Sequence, residues 1–234
     1  MRTPVRRFLQ PRGRERPSEW LTGDGRSADS IVTRDTGGGS HVRCRLGDGA
    51  SVDRSATLGY VYDRDCEPAV IGDDATVRPG TVIYGDVIAG DRLQTGHDAL
   101  IRERTELGDD VLVGTGVVID GTSTVGSDVS LQTGVYVPSH TVIGSNVFIG
   151  PRAVLTNDPY PVRQDVDLAG PSLNEDVSIG ANATLLPGVE VGARSFVAAG
   201  AVVTEDVPPD TLAVGNPARH EPLPDRLEGG NVLA

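Results

Sequence analysis

Six side chains between positions 97 and 158 have types that suit proton transfer and the holding of a polar substrate. His140 is followed eighteen residues later by Asp158, with Asn157 beside it. Tyr136 and Ser139 stand just before His140, and His97 stands apart. An imidazole takes or gives a proton near neutral pH. A carboxamide such as that of Asn157, or a backbone N–H, donates to a developing oxyanion. A carboxylate such as Asp158 orients an imidazole or an amine. Plainer readings exist for each: Asn157-Asp158 before Pro159 as turn residues, His140 as an exposed corner residue, His97 as a structural hydrogen bond, Tyr136 as packing. What decides between them is the scaffold.

That scaffold is written as a six-residue beat. From Ile71 the aliphatic position runs Val77, Ile83, Ala89, Thr95, Ile101, Leu107, Val113, Ile119, Val125, Leu131, Val137, Ile143, Ile149 and Leu155, with only Ala89 and Thr95 weak. Four residues after each comes a second small or aliphatic residue, such as Ala75, Thr81 and Val87. Gly recurs one residue after the aliphatic position at 72, 90, 96, 108, 114, 126, 144 and 150. The beat breaks at Thr156-Asn157-Asp158-Pro159-Tyr160-Pro161 and resumes in phase at Leu173, Ile179, Leu185, Val191, Val197 and Val203, with Val207 read as a last second position. A shorter run, Leu46, Val52 and Leu58, precedes it in a shifted frame, and an insertion at 60–69 absorbs the shift.

Neither a helical nor a simple strand period gives this pattern. A fixed short period means a solenoid. Each hexad is one short strand plus a corner, with Gly expected to supply corner angles that a Cβ penalises. Three hexads close a triangular coil of eighteen residues, and about eight coils stack as parallel strands about 4.8 Å apart. On that frame His140 and Asp158 are expected at one corner in neighbouring coils, with Tyr136 and Ser139 nearby. His97 falls on a different hexad class and more than three coils from Asn157. One subunit cannot bring those two together, so His97 lines the far end of a groove or faces a neighbouring chain.

Composition sets further bounds. All 21 basic residues are Arg, and the chain carries a net charge of −12. Residues 1–45 hold ten Arg against five acids, and the remainder holds eleven Arg against 28 acids. A Lys-free acidic surface suits a high-salt cytoplasm. The Arg-rich, aperiodic segment 1–45 reads as a disordered extension. Residues 46–212 read as the solenoid and 213–234 as a tail. Two cysteines, Cys44 and Cys66, lie in no metal or redox spacing and read as reduced thiols of a cytoplasmic protein. No apolar run reaches the length of a membrane span, and no nucleic-acid role is expected.

The pattern [LIV]-G-x-x-[AVST]-x over residues 46–219 resembles the hexapeptide-repeat acyltransferases. That resemblance implies an all-β, left-handed parallel β-helix, although the general rule for parallel crossovers is right-handed. It implies acetyl-CoA as co-substrate and a homotrimer with active sites between subunits. Within the segment 178–219, the likeness puts backbone groups around Ala181 and Ala199 along the pantetheine, Thr204 and Glu205 near the nucleotide end, and Arg219 on a phosphate, where a guanidinium suits the oxygens. Glu205 departs from the family, which often has Lys there. TNDPYP, with VYVPSH and TGHDALIRE, resembles the branch that acetylates sugars, including nucleotide-linked amino sugars. The loop at 156–172 then helps build an acceptor pocket in which an amine or hydroxyl attacks the thioester. Alternatives are a serine or other small-molecule O-acetyltransferase, and a non-catalytic scaffold. A zinc enzyme on this fold needs three His at one site, which His41, His97, His140 and His220 cannot supply with tetrahedral geometry. No metal is therefore expected.

Overall fold

Each hexad makes a two-residue strand whose second side chain points inward. Val118–Ile119 is representative: Val118 is half-buried and Ile119 fully buried. Side chains alternate across a strand, so the corners must turn all remaining polarity outward. The coordinates, a computed structural model, describe residues 32–35 and 41–233. Among these, the secondary structure is β-strand except for one 3-10 turn, Asp225–Leu227. No helix of the described residues is long and apolar enough to cross a membrane.

Strands pair in parallel with those one coil away, as in Leu100↔Val118 and Val118↔Tyr136. Three faces result. Face 1 runs from His41–Leu46 and Ala69–Ile71 to Glu190–Val191. Face 2 runs from Ser51–Val52 to Phe196–Val197 and the hairpin Thr211–Gly215/Ala218–Pro222. Face 3 runs from Thr57–Tyr60 to Val202–Val203. Twenty-four strands between His41 and Val203, three to a coil, make eight coils. The prism starts earlier than the sequence frame suggested. His41–Leu46 is already its first strand, because Cys44 pairs with Ala69 and Leu46 with Ile71, and Val32–Asp35 adds an antiparallel strand to it. The rest of the Arg-rich segment lies outside the described residues.

The inward columns form one continuous core. The weak positions Ala89 and Thr95 are buried like the others, at 3% exposure each. Inward hydroxyls are satisfied locally, as buried polar groups must be: Thr81 and Thr95 share a 3.0 Å bond, and Thr141 donates to the Pro138 carbonyl at 2.7 Å.

The repeat glycines act differently from the expectation. Those one residue past the aliphatic position do not carry the corner's positive φ. Asp74, Arg92, Asp98, Asp110, Gly116, Asp128, Asn146 and Arg152, each two residues further on, carry it. At Gly150 a Cβ would lie 2.7 Å from the Ala181 nitrogen one coil on. The glycine is required by close stacking, and Asp, Asn, Arg or Gly then takes the left-handed angle, where Asp and Asn are the better-tolerated side chains.

Two insertions and one deletion interrupt the eighteen-residue spacing. Thr57 pairs with Val82, twenty-five residues on, because seven extra residues leave after Tyr60. Val142 pairs with Ser172, thirty residues on, because twelve extra residues leave between the strands Val154–Leu155 and Ser172–Leu173. Both insertions leave at the corner between faces 3 and 1. Near the end, Phe196 pairs with Leu212 only sixteen residues on. Val207 accordingly stacks on Val191 as a face 1 residue and is not a second position after Val203.

Candidate functional site

At the corner from face 3 to face 1, Asn157 lies one coil beyond Ser139. Its side-chain Nδ2 donates to the Ser139 carbonyl at 3.2 Å and to the Ser139 hydroxyl at 3.0 Å. A carbonyl only accepts, so the NH₂ must be the group turned towards it, which leaves Asn157 Oδ1 as the outward acceptor. The Asn157 carbonyl accepts from Ala169 N–H at 2.9 Å and closes the base of the twelve-residue loop.

Asp158 does not stack on His140. The chain leaves the prism after Asn157, and Asp158 Oδ1 accepts from the Tyr160 N–H at 2.8 Å in a turn of its own. Ala169 and Gly170 fill the vacated level. A Cβ on Gly170 would lie 2.6 Å from the Thr141 nitrogen and 2.7 Å from the His140 carbonyl carbon. His140 itself is exposed, with φ 64° and its N–H on the Thr122 carbonyl at 3.0 Å. The structure therefore gathers Ser139, His140 and Asn157, and turns the Asp158 carboxylate to its own loop.

Tyr136 projects from face 3 towards the same edge, and its hydroxyl donates to Asp120 Oδ2 at 3.1 Å. Burial first, then the Asp120 charge and hydrogen bond, raises its pKa. Tyr136 is thus a fixed donor and not a base. Asp120 is held in turn by Arg102 at 2.7 Å, and Arg102 is also paired with Glu103 at 2.9 Å. Its guanidinium lies 5.7 Å from the centre of the Tyr84 ring. This Tyr84–Arg102–Asp120–Tyr136 line was missed in the sequence. The signal was present as polar and aromatic residues one step outside the inward columns, but nothing in the period distinguishes them from other surface positions.

His97 lies on another corner, between faces 2 and 3. A ladder of corner bonds, from Gly116 N–H on the His97 carbonyl to Gly200 N–H on the Ala181 carbonyl, runs up that corner through Thr115, Thr133 and Pro151. His97, Ala181 and Ala199 therefore share one edge, with His97 four coils, or about 19 Å, from Ala181. Thr204 and Glu205 do not join them. The bonds from Thr156 N–H to the Leu185 carbonyl and from Leu186 N–H to the Val203 carbonyl put Thr204 on the 3–1 corner, in line with Thr156. The residues expected to meet coenzyme A are thus divided between the two edges of face 3. Arg219 is exposed on the terminal hairpin of face 2, opposite Val214.

Comparison with known proteins identifies the architecture. Residues 122–157 and 170–205 match the bacterial transferase hexapeptide (six repeats) family model. The unmatched gap, 158–169, is the inserted loop. LpxA, a UDP-N-acetylglucosamine acyltransferase from Bacteroides fragilis, superposes with a TM-score of 0.60 at 20% identity, over 76% of this chain and 69% of that one. The protein is a hexapeptide-repeat, left-handed parallel β-helix. Among curated relatives, a 2,3,4,5-tetrahydropyridine-2,6-dicarboxylate N-acetyltransferase of Staphylococcus aureus is 55% identical over 47 residues, 20% of each chain. The serine acetyltransferase of Escherichia coli is 40% identical over 88 residues, 34% of this chain and 32% of that protein. The chain spans a third or less of the length of these two relatives.

Proposed function

We propose that the protein is an acyltransferase that moves an acetyl group from acetyl-CoA to an amino or hydroxyl group of a sugar or nucleotide-linked sugar. The observation that carries this is the Ser139–His140–Asn157 corner at the base of the longer of the two loops inserted into the stacked coils. His140 takes the proton of the attacking amine or hydroxyl. Asn157 Oδ1 accepts a hydrogen bond from that group and aims it. Because the Asn157 amide hydrogens are committed to Ser139, a backbone N–H, and not this amide, serves the oxyanion. An amine that binds already neutral needs only the aiming. Asp158 acts through the shape of its turn.

Face 3 supports a shared site in a homotrimer. Its outward positions, Thr57, Val82, Leu100, Val118, Tyr136, Val154, Thr184 and Val202, are uncharged and mostly aliphatic, whereas those of face 2 include Ser51, Thr76, Gln94, Ser130 and Ser178 and those of face 1 include Arg45, Glu106 and Glu190. Three parallel prisms with face 3 turned inward set the 3–1 edge of one copy against the 2–3 edge of the next. That arrangement sets the acceptor corner of one copy against the edge of the next that carries Ala181 and Ala199 above its level and His97 two or more coils below it. Acetyl-CoA then lies in the cleft, with Thr204, Glu205 and Arg219 towards its nucleotide end.

The test is thiol release from acetyl-CoA with a panel of amino sugars, nucleotide-linked amino sugars and serine. Release with the sugars supports the reading. Release with serine alone would favour the second reading, a small-molecule O-acetyltransferase, to which the similarity to serine acetyltransferase gives support. Absence of acetyl-CoA binding by calorimetry would leave a non-catalytic scaffold. Light scattering should give three times 24.5 kDa.

A further inference from the structure

The five tyrosines of the chain, Tyr60, Tyr62, Tyr84, Tyr136 and Tyr160, all lie along the 3–1 edge or in its two insertions. Coil stacking does not call for this, since the inward columns are filled by aliphatic and small residues. At the first insertion three of the rings cluster. Tyr60 and Tyr84 are 4.8 Å apart between centres, and Tyr62 and Tyr84 6.0 Å apart with planes 29° from parallel. All three are only partly buried. Arg102 covers one side of Tyr84 and is engaged by Glu103 and Asp120. Arg104, on the same corner, is exposed and has no ion pair among the described residues. It lies close enough to Tyr62 to oppose the rise in that phenol's pKa. The Tyr62 hydroxyl donates to Asp86 Oδ2 at 2.6 Å, so that carboxylate is engaged by the phenol, and Arg104 stands as a cation beside Tyr62 in a chain of net charge −12.

From Tyr84 the edge climbs through Arg102, Asp120 and Pro138 to Thr156 and Asn157. That is four coils, or about 19 Å. The seven-residue insertion leaves the prism at one end of this run and the twelve-residue loop at the other. We infer that this edge binds the nucleotide part of a nucleotide-linked acceptor: the base against the Tyr60–Tyr62–Tyr84 cluster, a phosphate on Arg104, and the reacting group at Ser139 and Asn157. Aromatic faces take bases through stacking, and a guanidinium takes phosphate oxygens through its fork of donors. Arg104 stands one coil above Tyr84 and two coils, about 10 Å, below Ser139, which leaves the length of a phosphate and the sugar that carries the reacting group. This inference rests on the acyl-transfer reading and adds the ligand's class and its direction along the edge.

The test is calorimetry of the full chain with uridine, thymidine, guanosine and cytidine diphosphates, and separately with acetyl-CoA. At least one diphosphate should bind, without displacement by coenzyme A. Arg104→Ala and Tyr84→Ala should each weaken that binding about tenfold and leave acetyl-CoA affinity unchanged. Arg104 is exposed, so its variant keeps the test valid if Tyr84→Ala unfolds. The inference is overturned if no diphosphate binds while acetyl-CoA does, if coenzyme A displaces the diphosphate, or if Arg104→Ala binds like the parent. Diphosphate binding that depends on Arg104, with no acetyl-CoA binding, upholds the nucleotide site and sinks the acyl-transfer reading instead.

Discussion

Asn157 donates its side-chain amide to both the carbonyl and the hydroxyl of Ser139, one coil away, at 3.2 and 3.0 Å. Two bonds to one residue fix the carboxamide plane. Asn157→Ala removes them and the outward Oδ1 together, while the backbone bond from Ala169 remains. The rate of thiol release should fall about tenfold or more, with the melting temperature little changed. Asn157→Asp turns a carboxylate against the Ser139 carbonyl and should be worse than Ala. An Asp variant with full activity would exclude the aiming role.

His140 occupies a left-handed corner at φ 64°, an angle that glycine adopts without strain. His140→Gly should therefore keep or raise the melting temperature. If His140 is the base, the same variant loses about a hundredfold or more in rate. Parallel assay of His97→Ala tells whether the second imidazole carries that role.

Gly170 closes the loop onto the His140 corner. Gly170→Ala forces a Cβ to within 2.6 Å of the Thr141 nitrogen and 2.7 Å of the His140 carbonyl carbon. Backbone cannot yield as a flexible side chain can, so the loop base must shift. The expected outcome is lost activity with a drop of several degrees in melting temperature, about 1–3 kcal/mol.

Asn231 straps the C-terminal tail to the corner between faces 1 and 2. Its Nδ2 donates to the Asn146 and Val177 carbonyls at 2.8 and 3.0 Å, and its Oδ1 accepts from Ser178 at 2.6 Å. The strap joins the two coils that the twelve-residue insertion separates in sequence. Asn231→Ala should cost about 1–3 kcal/mol. Hydrogen exchange should quicken at residues 146–148 and 176–178 before it does so elsewhere.

Burial pushes the Cys44 thiol up to about 12 from an ordinary 9.0. The folded protein thus holds a proton that the unfolded chain releases first. The thiol's contribution is full below pH 9 and is lost as pH rises from about 9 to 12. Urea denaturation should show a steeper loss of stability over that range for the parent than for Cys44→Ala. In the native state at pH 8 the thiol should resist a disulfide reagent.

Much of the fold was legible in the residues. Ile119, Leu155 and Leu173 mark their columns because a six-residue turn leaves only two inward positions per hexad, and water excludes the wrong residues from both. The same phase carried across 156–172, so the loop was readable as an insertion. The sequence could not show where the loop begins to matter. Eighteen-residue spacing pointed to Asp158 over His140, and that holds only while the chain stays on the prism. It leaves after Asn157, and Ala169 and Gly170 take the level instead. Likewise the period made Gly150 look like a bend, although the next coil's backbone is what forbids its Cβ. Periodicity encodes what one coil demands of itself. Which residues meet across coils, which of the two edges of face 3 holds Thr204 or Ala181, and that all five tyrosines share one edge are set by the stacked register, and only the tertiary structure decided them.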